Sequence, residues 1–104
     1  GDLGHIGKEI LTELAETKGY NIKSNYNDCG ILMFDKATQD THSGGSGCAC
    51  CATIFSGYLF NKLKQKELKK ILLIATGALT NATSNQQGES IPGIAHAIAI
   101  ETDI

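Results

Sequence analysis

The sequence predicts an α/β fold built in layers, and three observations carry that prediction. An amphipathic helical period opens the chain, a run of glycines opens a second helix, and two short apolar stretches near the end show no polar face. A strand that is apolar on both sides belongs to a sheet covered on both sides. Read in order, the elements are helix, strand, helix, strand, strand.

The first helix is expected over about residues 5–18. Ile6, Ile10, Leu11 and Leu14 share one stripe, Lys8, Glu9, Glu13 and Glu16 lie outside it, and Gly19 is the stop signal. Gly1-Asp2-Leu3-Gly4 in front of it is too short for a strand but typical of the bend that follows one, so a preceding strand is expected. The chain also starts without an initiator methionine, as a fragment or processed piece would. Asn27-Asp28-Cys29-Gly30 signals a turn, and Ile31-Leu32-Met33-Phe34 is an apolar run of the length of a buried strand. Polar residues 35–43 then form a loop.

Gly44-Gly45-Ser46-Gly47 opens the second helix, whose apolar stripe is Cys48, Cys51, Ala52, Phe55, Leu59 and Leu63. It runs out through Lys62, Lys64, Lys66, Lys69 and Lys70, positive charge that a helix C-terminus favours. Ile71-Leu72-Leu73-Ile74-Ala75 follows as a fully buried strand ending at Gly77. Residues 78–93, rich in Asn, Gln, Ser, Thr and Gly, form a surface loop. Asn81-Ala82-Thr83 has the form of a glycosylation acceptor, which counts for little without a secretion signal. The last strand, 94–100, alternates isoleucine with alanine except at His96, a pattern that suits a strand packed on both faces with a helix close against the alanines.

Composition limits what such a chain can do. Its 104 residues are 41% hydrophobic and 19% charged, room for one domain and not two. A chain of this length buries roughly 65% of its unfolded surface, enough for a core without disulfides. No apolar run approaches the ~20 residues of a membrane-spanning helix. The net charge is -2, and all nine basic residues are lysines. That balance disfavours nucleic acid as a primary partner, and the lack of arginine removes the side chain best shaped to grip phosphate or carboxylate in bidentate fashion. Three of the four cysteines crowd into 48–51, too close together to staple distant parts of a fold, so the thiols read as reduced and intracellular.

Several groups can carry chemistry. Glycines at 44, 45 and 47 leave amide N–H groups open at a helix start, where the dipole favours a carboxylate, phosphate or oxyanion. Equally, they can simply let the helix pack close to a sheet. The lysine of a nucleotide phosphate loop is absent. Cys48, beside those amides, is placed for a lowered pKa and nucleophilic use, or is an inert packed thiol. Cys48 and Cys51 on one helical face can hold two corners of a zinc site with Cys29, His42 or Asp28, although the second pair of a structural zinc site is missing. His96 reads as a core histidine or as a catalytic one. Asp2, at the end of the expected lost strand, lies with Thr76-Gly77-Ala78 where open α/β sheets collect ligands, beyond the carboxyl ends of strands.

Taken together, Asn27-Asp28-Cys29-Gly30, Gly44-Gly45-Ser46-Gly47-Cys48-Ala49-Cys50, Ile74-Ala75-Thr76-Gly77-Ala78 and residues 86–96 (QQGESIPGIAH) resemble the C-terminal part of the stage V sporulation protein AD family of spore-forming bacteria. The resemblance implies a thiolase-like fold of two similar halves in a five-layered αβαβα arrangement, with this chain the closing part of the second half. It implies a non-enzymatic protein that binds dipicolinic acid, free or with calcium, and supports its uptake into the developing spore. Other proteins of the same operon would supply the membrane channel, and the protein would act as a homo-oligomer at the spore inner membrane without spanning it.

Condensing enzymes of this fold place histidine or asparagine groups in the second half. Gly1-Asp2 stands where a histidine would be, and the turn at 44–47 holds neither residue, so the resemblance implies a retained fold with its chemistry lost. The expected ligand-binding residues are Asp2, Gly45, Ser46, Gly47 and Cys48, with no catalytic residue, metal or cofactor. Two other functions fit the same residues. One is an acyl-transfer condensing enzyme with its cysteine upstream and the glycine turn as oxyanion hole. The other is a structural partner that dimerises through a free strand edge.

Overall fold

The computed structural model describes residues 4–41, 47, 49–78 and 82–102. Five α-helical segments and two strands follow in the order α1 (Gly4–Thr17), α2 (Cys29–Met33), α3 (Cys50–Ile54), a π-helical turn (Phe55–Leu59), α4 (Phe60–Lys64), β1 (Lys70–Ala78), α5 (Ala82–Gln86) and β2 (Gly93–Glu101). The sheet is a two-stranded antiparallel hairpin. Mixed helix and strand is what the sequence predicted; the layering is not formed within these residues.

Helix α1 ends where glycine allows. Gly19 takes φ +88°, its N–H reaches the Glu16 carbonyl at 3.0 Å, and the Tyr20 N–H reaches Ala15 at 2.9 Å. Those two bonds make a Schellman stop. Gly4 and Gly7 are the buried residues of α1, which packs on α2. The apolar stripe is left outward, with Ile6, Ile10 and Leu14 all more than half exposed.

The segment predicted as a strand at 31–34 is instead the helical turn α2. Asp28 explains the difference: it is extended at φ −122° and ψ 133°, and its Oδ1 accepts the Ile31 N–H at 3.1 Å. That N-cap satisfies a first-turn donor and commits the apolar run to a helix until Phe34 returns to extended geometry. Asp28→Ala removes the cap in a buried setting and is expected to lower stability by about 1–2 kcal/mol in chemical denaturation.

The second helix runs unbroken from Cys50 to Lys64, but its buried residues are Cys50, Ile54 and Leu63. Of the predicted stripe, Cys51, Phe55 and Leu59 are half-buried and Ala52 is exposed. The π turn is the cause. It takes up an extra residue between Ile54 and Leu59, which brings Ile54, Leu59 and Leu63 to one side at spacings of five and four. Asn61 Nδ2 donates to the Gly57 carbonyl at 2.9 Å within this turn.

The hairpin pairs Lys70 with Glu101 through to Ala78 with Gly93. Directly opposed residues share a face. One face therefore carries Ile71, Leu73, Ile94, His96, Ile98 and Ile100, and the other pairs Leu72 and Ile74 with Ala99 and Ala97. Both strands stand where the sequence placed them, but neither is buried: Leu72 is 64% exposed, Ile98 60% and Ile94 57%. Among the described residues no helix covers the alanines: Ala95, Ala97 and Ala99 are exposed. The loop predicted at 78–93 contains one helical turn, α5.

These open faces show in the dimensions. The surface area is 7801 Å², whereas a compact protein of 11.0 kDa exposes on the order of 5,600 Å². The radius of gyration is 15.4 Å, against about 13 Å for a compact domain of this size.

Candidate functional site

The glycine-rich stretch 44–47 precedes the start of α3 in the sequence, and Gly47 is its described residue. The Gly47 carbonyl accepts the Cys50 N–H at 3.1 Å, and the Ala49 carbonyl accepts from Thr53 at 2.9 Å. Ala49 occupies the N-cap and supplies no side-chain acceptor to the first-turn amides. An uncapped helix start is able to receive an anionic or carbonyl oxygen. A Cβ placed on Gly47 meets nothing within 4 Å, so the glycine answers no close approach at this position.

Of the five expected ligand-binding residues only Gly47 is among the described ones, and it is exposed. Asp2, Gly45, Ser46 and Cys48 lie outside the described residues, as do Gly44 and His42. Thr76 and Gly77 lie near the end of β1, with Ile94 Cγ2 3.6 Å from a Cβ built on Gly77.

The described thiols sit where the helices meet. Cys29 opens α2, Cys50 and Cys51 open α3, and α2 packs on α3; Cys50 is buried and the other two are half-buried. Among the described residues no three His, Cys, Asp or Glu side chains are grouped to hold a metal. Two members of the zinc set considered from sequence, Cys48 and His42, are not described, and Asp28 spends its Oδ1 on the α2 cap. His96 stands opposite Ala75 on the isoleucine face of the hairpin and is exposed there.

Sequence reasoning missed two positions. Asp28 was readable as an N-cap from an Asp placed three residues before the Ile31 amide. Lys66 adopts φ +61°, the only non-glycine with positive φ among the described residues, in a place where the chain turns out of α4. No sequence signal marks it, since glycine or asparagine is the usual occupant.

Among the described residues, short helices that pack on one another and an apolar hairpin with exposed faces define a mixed α/β chain. The family model for stage V sporulation protein AD matches residues 1–101. The stage V sporulation protein AD of Bacillus subtilis (strain 168) is 38% identical over 101 residues, covering 97% of this chain and 30% of that protein. The chain belongs to the stage V sporulation protein AD family, and it spans about a third of the length of this curated relative.

Proposed function

We propose that the protein is a non-enzymatic sporulation protein that binds dipicolinic acid and supports its uptake into the developing spore at the inner membrane. This chain would form the closing part of a thiolase-like layered body. What supports the function is family membership over nearly the whole chain. What supports the layering is the apolar surface left open on α1 and on both faces of the hairpin.

Dipicolinate is a flat aromatic dianion, and its carboxylates need hydrogen-bond donors or a bridging cation. This chain has no arginine, so its share of the grip falls to the amides of residues 45–48 and the Ser46 hydroxyl. Asp2 would serve a calcium-bridged form of the ligand. No helix among the described residues is long and apolar enough to cross a membrane.

Equilibrium dialysis of the protein expressed from its complete reading frame tests this function. Saturable dipicolinate binding is expected, weakened about tenfold by Ser46→Ala, the loss of one hydrogen bond to a charged group. Absence of binding contradicts the proposal, and turnover of acyl-CoA thioesters contradicts its non-enzymatic part.

A further inference from the structure

Charge is unevenly distributed in this chain. Five of its nine lysines, Lys62, Lys64, Lys66, Lys69 and Lys70, fall between residues 62 and 70 with a single acid, Glu67. That stretch carries +4, which leaves -6 for the remainder of a chain whose net charge is -2. Lys62 pairs with Glu67 at 3.3 Å and Lys70 with Glu101 at 3.2 Å. Lys64, Lys66 and Lys69 are exposed and have no carboxylate partner among the described residues.

Two features set this face apart from an ordinary solvated helix end. Lys66 holds a left-handed backbone, φ +61°, that L side chains other than asparagine and aspartate rarely take. Glycine there would relieve the strain, yet the position holds a lysine with no ion-pair partner among the described residues. Aromatic rings are also interleaved with the charges: Lys62 Nζ lies 5.0 Å from the Tyr58 ring centre, Lys64 Nζ 5.8 Å from that of Phe60, and both rings are nearly half exposed.

From this placement we infer that the lysine-rich turn from Lys62 to Lys70 is a docking surface for an anionic phospholipid bilayer. Lysines on flexible stems suit the smeared charge of lipid headgroups, while fixed phosphate or carboxylate partners favour the planar fork of arginine, which the chain lacks. Rings with a polar edge or a neighbouring cation settle at the headgroup level. The inference deepens the proposed function and rests on its statement that the protein works at the spore's membrane.

Sedimentation with vesicles tests it, using the protein expressed from its complete reading frame. Binding is expected to vesicles containing phosphatidylglycerol, not to pure phosphatidylcholine, and is expected to weaken as salt rises. The triple variant K64Q/K66Q/K69Q should bind on the order of a hundredfold more weakly, about fivefold for each lysine, while it keeps its dipicolinate binding. Lys66→Gly alone should raise the thermal midpoint by about 2–4 °C and weaken vesicle binding about fivefold, a pairing that a purely structural lysine would not give. Equal binding to neutral vesicles, or a triple variant that binds as well as the parent, would overturn the inference. So would a parent protein that ignores vesicles but is retained on polyglutamate, which points to an acidic protein partner. Failure of these vesicle results with dipicolinate binding intact counts against the docking surface alone.

Discussion

Ile98→Asp, introduced into the protein expressed from its complete reading frame, is expected to lower stability by on the order of 3–5 kcal/mol or to leave no folded material. In this chain Ile98 is 60% exposed, at the centre of a face it shares with Ile94, His96 and Ile100. An aspartate on a solvated strand face changes stability by no more than about 0.5 kcal/mol. Beneath a packed layer the same carboxylate is an unpaired charge out of water. Urea denaturation of parent and variant separates the two cases, and midpoints that coincide would mean the isoleucine face is a true exterior.

Leu63→Ala carries the second largest expected effect, about 2–4 kcal/mol. Leu63 is 4% exposed, and the π turn is what brings it into phase with Ile54 and Leu59. Removing its isopropyl group leaves a cavity at the end of the long helix, where Phe55, Phe60 and Ile100 approach. A shift in denaturation midpoint with an unchanged slope would report that loss. A cost below about 1 kcal/mol would show that this end of the helix collapses freely around the gap.

Elements with long or strongly patterned runs were legible from sequence. The first helix with its glycine stop, the second helix and both strands stand within a few residues of where period and glycine placed them. Residues 31–34 were not, because four apolar residues fit either a strand or one helical turn and a single side chain, Asp28, decides between them. The π turn was equally hidden. Nothing in Phe55-Ser56-Gly57-Tyr58-Leu59 announces an inserted residue, and it moved burial onto Cys50 and Ile54.

Burial differs from the sequence reading in a consistent direction. The stripe Ile6, Ile10, Leu11 and Leu14, the strand at 71–75 and the alternation of 94–100 all read as interior, and here Ile6, Ile10, Leu14, Leu72, Ile74, Ile94 and Ile98 are exposed while Leu11, Ile71, Leu73 and Ile100 are half-buried. Sequence pattern reports the surroundings a segment is suited to, and these segments are suited to neighbours that the described residues do not supply. Of the expected ligand site, only Gly47 is among the described residues. Asp2 and Ser46 carry no sequence pattern that fixes where they point.

The proposed function requires that the faces of this hairpin be interior surfaces of a larger layered body. Hydroxyl-radical footprinting of the protein expressed from its complete reading frame, with mass spectrometry of residues 94–100, tests it most directly. Ile94 and Ile98 should be strongly protected in the native protein and released in urea. Native oxidation as fast as in urea would contradict the claim.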